Sequence, residues 1–334
     1  MVKRFLVSTL ACGAALAQLP GLPSSDSWQS HMDLGKRLEV RGQYAEAKQE
    51  FQAALEAAKP HPKGGRSFLS AVELGTVAAA MGQYVEAEQW DNEAVRHGLA
   101  IYGNESPELA LAYTNLAAVY RDQGEYRRAE EFCRRALRLA RGQGPLAAAA
   151  RAQVLGALGG ILSELGKLPE AEESLQQSVA LAETLPPPSE ILAGDWNNLA
   201  GLYAKMGRLD EALAMYRKAY ALCTQIGGNT DPNLFFILAG MAAIQAQSGQ
   251  YKEAVSGIQS GIELAESGGS VNTIQLRNAL LAEAEWLHKL KREPEAKRVR
   301  AKAKQVAQAA AQNSYAQYTV DARQVAQGMV KQPE

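Results

Sequence analysis

A six-residue pattern returns along this chain at a nearly constant interval, and this periodicity constrains the fold more than any other feature. The pattern is a glycine, an aromatic residue or leucine two positions later, and an alanine three positions after that. Its copies read GQYAEA (42–47), GQYVEA (82–87), GEYRRA (124–129), GKLPEA (166–171), GRLDEA (207–212) and GQYKEA (249–254). Their final alanines are 40, 42, 42, 41 and 42 residues apart. A period of this length predicts an array of stacked structural units.

Each copy predicts two amphipathic helices joined at the glycine, because apolar residues recur at three- and four-residue steps on both sides of it. A seventh copy, KREPEA, lacks the glycine but places Ala296 42 residues after Ala254. We therefore predict an all-α fold of about seven helical hairpins. Small residues before the corner let the two helices approach closely, and large residues after it fill the space between them. The predicted units cover approximately 27–60, 66–100, 107–142, 146–185, 189–226, 232–267 and 271–312.

The period alone also suits HEAT and armadillo repeats, but the residues indicate a different family. The segments SPELALAYTNLAAVYRDQGEYRRAEEFCRRALRLA (106–140) and DWNNLAGLYAKMGRLDEALAMYRKAYAL (195–222) share an Asn before Leu-Ala, then Tyr, Gly and Ala. This resembles the tetratricopeptide repeat over residues 27 to 310, and the longer unit resembles the repeat of kinesin light chains. The resemblance implies an α-solenoid, wound as a right-handed superhelix of helix-turn-helix hairpins.

The N-terminal sequence MVKRFLVSTLACGAALAQ predicts a secretory signal peptide over residues 1–17. Lys3 and Arg4 precede an apolar stretch, and small residues precede a cleavage site between Ala17 and Gln18. We expect an exported protein, periplasmic or secreted, with a short linker over 18–26. Two alternatives stay open, namely a buried first helix and a lipid anchor at Cys12. At the other end, residues 313–334 form a tail or a capping helix in this interpretation.

The sequence contains no pattern that indicates catalysis. The four histidines lack ligand-like spacing, and no nucleophile elbow or phosphate-binding glycine loop is present. We expect no enzyme, no cofactor and no metal. The formal net charge of −1 implies no general attraction to nucleic acid, so the expected partner is a protein or peptide, with membrane contact peripheral at most. Cys133 and Cys223 are expected to be small buried residues outside any disulfide.

Binding residues are expected on the first helix of each hairpin, which lines the concave groove in the family that the sequence resembles. Asparagines there offer both a donor and an acceptor to an extended peptide. In the kinesin light chains, asparagines at matching positions contact cargo peptides, which implies the same role for Asn115, Asn197 and Asn198. The alternative, asparagines that bond neighbouring helices, stays open. The candidate groove residues are Thr114, Asn115, Arg121, Asp122, Asn197, Asn198, Gly201 and Lys205.

A second candidate surface is the cationic cluster in the seventh copy, which includes Lys297, Arg298, Arg300 and Lys302. One interpretation is a solvated terminal repeat, since an end unit must face water. The other is a docking patch for an acidic partner or for anionic lipid headgroups. The sequence thus leaves two functions open. One is an interaction scaffold that binds a peptide or protein segment in its groove. The other is a structural assembly subunit of the cell envelope that docks through its convex face or its basic end.

Overall fold

The computed structural model describes residues 27–60, 65–141, 144–187, 189–228, 231, 233–268 and 273–308. Within these ranges the chain forms fourteen α-helices and no β-strand, which confirms the all-α prediction. The helices are α1 Ser27–Val40, α2 Tyr44–Ala58, α3 Arg66–Ala80, α4 Tyr84–Tyr102, α5 Leu109–Gln123, α6 Tyr126–Leu139, α7 Pro145–Glu164, α8 Leu168–Ala182, α9 Glu190–Lys205, α10 Leu209–Gly227, α11 Leu234–Gln247, α12 Tyr251–Gly268, α13 Thr273–Lys289 and α14 293–308. The predicted signal peptide, linker and C-terminal tail lie outside the described residues.

The hexapeptide forms the corner between the two helices of a hairpin. In the third copy Gly124 has φ 84° and ψ 6°, the left-handed conformation that glycine adopts without steric cost. The N–H of Glu125 then donates to the carbonyl of Tyr120 at 2.8 Å, which satisfies one of the free carbonyls at the end of α5. The seventh copy, which lacks the glycine, keeps the same corner, because Lys291 occupies the glycine position and adopts φ 60°.

Close contact inside a hairpin depends on a small residue in the first helix and a larger residue in the second. A Cβ added at Gly35 would lie 2.5 Å from the ring of Phe51, and one at Gly159 would lie 2.5 Å from Cγ of Leu175. Both large side chains are fully buried. Packing at this density leaves no room for even one additional methyl group. The small residues of the sequence pattern therefore set the distance between the helices.

The chain divides into two compact units after Gly228. The first contains the hairpins α1–α2, α3–α4, α5–α6, α7–α8 and α9–α10, and the second contains α11 to α14. In the first unit the first helices of successive hairpins contact one another, so that α3, α5, α7 and α9 form a continuous layer. Their second helices are joined by ion pairs between hairpins, such as Lys48–Glu86 at 2.6 Å and Lys167–Glu130 at 2.9 Å.

Within the described residues, Cys133 in α6 and Cys223 in α10 are buried and form no disulfide, which agrees with their interpretation as small core residues. Burial raises the pKa of the Cys133 thiol to about 12. The thiol is therefore protonated at neutral pH and unreactive as a nucleophile.

Candidate functional site

The candidate site lies on the layer formed by α3, α5, α7 and α9, which we call the helix-A face. Five half-buried residues lie on this face in successive hairpins, namely Thr76, Asn115, Ala157, Gly160 and Asn198. The 42-residue period relates these positions. Asn115 and Asn198 each lie fourteen residues before the alanine of their own hexapeptide, and Thr76 and Gly160 each lie eleven residues before theirs. Equivalent positions on neighbouring hairpins can therefore be compared directly.

Asn115 is engaged by the protein itself. Its amide Nδ2 donates to Oγ1 of Thr76 on α3 at 3.1 Å, and the Thr76 hydroxyl donates to the carbonyl of Val72 at 3.0 Å. Thr114 beside it is buried, and its hydroxyl donates to the carbonyl of Ala110 in its own helix at 2.7 Å. In the third hairpin the asparagine thus bonds a neighbouring helix, and Thr114 presents no exposed polar group on this face.

A buried carboxyl that the sequence reasoning missed lies behind Asn115. Asp91 of α4 is completely buried and packs over Gly75, and neither carboxyl oxygen has a hydrogen-bond partner within the described residues. Burial raises the pKa of Asp91 well above its usual value, and the nearby amide of Asn115 opposes this rise. A signal was present in the sequence, because Asp91 occupies the position that Phe51 and Leu175 fill in their hairpins.

The fifth hairpin places the predicted asparagines in different environments. Asn197 is only 1% exposed, and its Oδ1 has no hydrogen-bond partner within the described ranges. Gly201 is also buried. Asn198 is half-buried, and among the described residues its amide makes no hydrogen bond. Of these three candidates, only Asn198 therefore presents an uncommitted polar group at a partly exposed position.

Gly160 explains why Asn198 differs from Asn115. Gly160 on α7 has the same register position as Thr76 on α3. It therefore lies beside Asn198 where Thr76 lies beside Asn115. A Cβ added at Gly160 would meet nothing within 4 Å, so the space beside it is open. The hydroxyl that engages Asn115 thus has no counterpart here. We call the surface of Ala157, Gly160 and Asn198 the α7–α9 notch.

Charged residues lie toward the ends of the same helices. Lys205 of α9 donates from Nζ to Oε1 of Glu164 at 2.9 Å and to the carbonyl of Ser163 at 3.3 Å, which joins α9 to α7. On α5, Arg121 and Asp122 are half-buried and form an ion pair at 3.2 Å. The predicted charged residues therefore line the helix-A face as paired charges.

A second buried carboxyl, Asp195, joins the fourth and fifth hairpins. Oγ of Ser178 lies 2.5 Å from Oδ2 of Asp195 and also 2.5 Å from the carbonyl oxygen of Ala152. A hydroxyl has one proton, so it can donate to only one of these two acceptors. Both short contacts are satisfied if Asp195 is protonated and donates to Ser178, which donates to Ala152. Burial also raises the pKa of Asp195 well above its usual value.

A third group of charges lies near the N-terminal end of the helix-A face. Lys36 of α1 contacts Glu73 of α3, and its Nζ lies 3.5 Å from Oε2 of Glu39. Burial raises the pKa of Glu39 to about 7, and Lys36 opposes the rise. This carboxyl therefore changes charge near neutral pH.

The predicted basic patch is exposed on α14. Lys297, Arg298, Arg300 and Lys302 all face solvent, and Lys302 forms an ion pair with Glu266 of α12 at 2.6 Å. Within the ranges that the structure describes, no three His, Cys, Asp or Glu side chains are grouped as metal ligands would be. In the same ranges, no helix combines the length and apolar character needed to cross a bilayer.

Family models describe the same repeat that the hexapeptide indicates. One tetratricopeptide repeat model matches residues 66–142 and 193–267, and another matches residues 151–185. A curated protein of Arabidopsis thaliana, Protein KINESIN LIGHT CHAIN-RELATED 1, is 22% identical over 296 residues. The match covers 85% of this chain and 48% of that protein, so this chain spans about half the length of the relative.

Solved structures with the same fold have little sequence identity to this chain. BtubC (BKLC) from P. vanneervenii is 18% identical with a TM-score of 0.56, over 69% of this chain and 92% of that one. A Rap protein complexed with competence and sporulation factor is 15% identical with a TM-score of 0.64, over 90% of this chain and 80% of that one. At these identities the likeness shows the fold alone.

Proposed function

Because the chain belongs to the tetratricopeptide repeat family, we propose that it is a non-catalytic scaffold that binds a peptide or protein segment along the helix-A face. Its fold is that of protein-interaction scaffolds, and one similar structure holds a bound factor, namely the Rap protein with competence and sporulation factor. The specific binding surface proposed for this chain is the α7–α9 notch and the charged residues beside it.

The uncommitted amide of Asn198 beside the open position at Gly160 is the observation that carries this proposal. A side-chain amide offers two N–H donors and a carbonyl acceptor, and an extended peptide carries free backbone donors and acceptors that need partners. The space left by Gly160 admits a side chain of the bound segment. Asn115, which has the same register position, is not part of the proposed surface, because its amide already donates to Thr76.

Paired charges beside the notch give the bound segment an orientation in this proposal. Lys205 and Glu164 lie on α9 and α7, and Arg121 and Asp122 lie on the preceding α5. Each ion pair can exchange its internal partner for a charged group of the ligand. Charges of this kind contribute more to orientation and association rate than to affinity.

The test is the selection of binding peptides from a displayed random library with the full chain as bait, followed by affinity measurements on a selected peptide. Asn198→Ala should weaken binding by about tenfold, the effect of losing one or two hydrogen bonds. Gly160→Leu should weaken binding further, because it fills the notch. The matched control is Asn92→Ala, which removes an exposed asparagine on the second helix α4. Equal affinity of all three variants and the wild type, with helicity unchanged, would refute the groove site.

Export is a separate part of the proposal and rests on the N-terminal sequence. The basic residues, the apolar stretch and the small residues before Gln18 favour removal of residues 1–17 by a signal peptidase. Expression of the full chain with a C-terminal tag, followed by fractionation and N-terminal sequencing, tests this directly. A mature protein that begins at Gln18 outside the cytoplasm supports export, and an intact N-terminus inside the cell contradicts it.

Docking through the basic patch on α14 is the second candidate function. Lys297, Arg298 and Arg300 are exposed and form no ion pair within the described residues, so they are available to an acidic partner of an envelope assembly. Reversal of these charges separates the two candidates. It should leave binding of the selected peptide unchanged if the helix-A face is the site, and it should release the protein from the envelope fraction if α14 is the site.

A further inference from the structure

Helix α6 carries a surface whose charge differs from that of its neighbours. Its sequence, YRRAEEFCRRALRL, contains five arginines against two glutamates, a net charge of +3. The second helix of the following hairpin, α8, contains three glutamates and no basic residue. The second helix of the preceding hairpin, α4, contains three glutamates, a buried aspartate and one arginine. A single basic strip therefore lies between two acidic helices.

The arginines lie on the exposed side of α6. Ala129, Cys133 and Ala136 form the opposite side of the helix, and all three are fully buried. The exposed arginines follow different steps along the helix: Arg127, Arg128, Arg134, Arg135 and Arg138. We call these five residues the α6 arginine face. It is separate from the helix-A face, because it belongs to the second helix of its hairpin.

Two of these cations are held in place by aromatic rings. The guanidinium of Arg128 lies 3.9 Å from the ring centre of Tyr120, and that of Arg135 lies 4.3 Å from the ring centre of Tyr113. Phe132 stacks between the two tyrosines, with ring centres at 5.3 and 6.0 Å. Cation–π contacts of this kind fix a flexible side chain in one position. Binding to such an arginine costs less side-chain entropy than binding to a free one.

Arg128 also forms an ion pair with Glu125 at 2.8 Å, whereas two other arginines have no ion-pair partner despite the acidic surroundings. Arg127 and Arg138 are exposed, and within the described ranges neither forms a salt bridge. Arg134 differs, because it pairs with Glu130 at 2.8 Å and with Glu170 of α8 at 3.0 Å. The acidic edge of the strip thus engages one arginine and leaves Arg127 and Arg138 available.

We propose that the α6 arginine face binds an acidic segment of a partner protein, laid along the helix. The guanidinium group matches the geometry of a carboxylate with two parallel hydrogen bonds. Packed helices are about 10 Å apart, so the basic strip is as narrow as one polypeptide segment. Glu170 on α8 and Glu88, which accepts a hydrogen bond from Tyr120 at 2.5 Å, mark its two edges.

The same acidic edges disfavour the other polyanions. A nucleic acid duplex or an anionic membrane extends well beyond the width of one helix and would meet the glutamates of α4 and α8. Like charges opposed in this way lower affinity. A short acidic segment that lies parallel to α6 avoids the glutamates of both α4 and α8. Together with the helix-A face, this surface would let one chain hold two partners at once.

A labelled oligoglutamate peptide is the probe for the proposal, with fluorescence anisotropy of the full chain as the readout. The peptide should bind, and the affinity should fall as sodium chloride is raised. The double variant Arg127→Glu/Arg138→Glu should weaken binding by about tenfold, since each reversal removes one attraction and adds one repulsion. The matched control is Arg217→Glu/Lys218→Glu, which reverses two exposed cations on α10 that belong to neither proposed surface and should leave the affinity within about twofold.

Several results would overturn the proposal. No binding of oligoglutamate at low salt would do so, and so would an equal loss of affinity in the α6 and α10 variants. Tighter binding of single-stranded RNA of matched charge, or of vesicles that contain anionic lipid, would assign the face to that ligand instead. Self-association that the α6 variant abolishes would assign it to a second copy of the chain. Circular dichroism of both variants verifies that the fold is retained.

Discussion

Replacement of Asp91 by leucine should stabilise the protein, because this carboxyl occupies a position that other hairpins fill with apolar side chains. Phe51 and Leu175 are fully buried at the equivalent position, four residues after the alanine of the hexapeptide. Leu175 packs directly over Gly159, and Asp91 packs in the same way over Gly75. A leucine therefore fits over Gly75 without a new arrangement of the helices.

The size of the effect follows from the surroundings of Asp91. A buried polar group without a hydrogen-bond partner costs about 1–3 kcal/mol, and burial of a leucine side chain contributes about 1.5–3 kcal/mol. The amide of Asn115 would lose a polar neighbour, and this loss reduces the stabilisation by about 1 kcal/mol. Near pH 4, before ionisation of the unfolded chain adds to the difference, we expect Asp91→Leu to raise the free energy of unfolding by about 2–4 kcal/mol.

The pH dependence provides an independent test of the same variant. Burial raises the pKa of Asp91, so the folded protein retains a proton that the unfolded chain has lost. The stability due to this proton is present in full below the unfolded pKa of about 4 and is lost as the pH rises through the folded pKa. The advantage of Asp91→Leu over the wild type should therefore grow by up to about 1.4 kcal/mol per pH unit across that window.

Urea unfolding followed by circular dichroism between pH 4 and pH 8 measures both quantities. Asp91→Asn keeps the polar group but cannot ionise, so its stability should match that of the wild type within about 1 kcal/mol near pH 4 and exceed it increasingly as the pH rises. The reciprocal variant, Leu175→Asp, should be strongly destabilised, because it creates an unpaired carboxyl in an apolar position. A leucine variant that is less stable than the wild type at every pH would refute the reasoning, since Asp91 would then have a stabilising partner.

Three further predictions concern the hairpin contacts. Asp195→Asn should be as stable as the wild type near pH 5 and more stable near pH 8. The asparagine amide donates to Ser178 as the protonated carboxyl does, but it cannot ionise at higher pH. Equal pH profiles of the two proteins in urea unfolding would contradict this. Gly156→Ala should destabilise by about 1–3 kcal/mol, because its Cβ would overlap Oδ1 of Asp195, and an unchanged midpoint would show that the hairpins can shift. Lys291→Gly should raise the stability of the last hairpin by about 0.5–1 kcal/mol, because glycine adopts φ 60° without strain; faster hydrogen exchange in α14 would contradict it.

The hairpins could be predicted from the sequence because their determinants are local and repeat. The glycine at each corner and the small residue beneath each large one, as in Gly35 and Phe51, follow the period and need no knowledge of the rest of the chain. The seventh corner shows that the period outweighs a missing glycine, since Lys291 adopts the required left-handed conformation. The family assignment rests on the same residues.

The exposure of the asparagines could not be read from a single repeat. Asn115 and Asn198 have the same register position, and their difference comes from Thr76 and Gly160 on the preceding hairpins. A comparison of paired positions across copies would have found it. The α6 arginine face was missed for a related reason, because the net charge of the whole chain conceals a local charge of +3 between two acidic helices.

Hydrogen–deuterium exchange of the full chain, with and without a library-selected peptide, tests the central claim most directly. Segment-resolved exchange separates the first helices from the second helices without any substitution. A scaffold that binds its ligand along the helix-A face should show slower exchange in α7 and α9 when the peptide is present. Protection confined to α8 and α10, with α7 and α9 unchanged, would contradict the proposed groove.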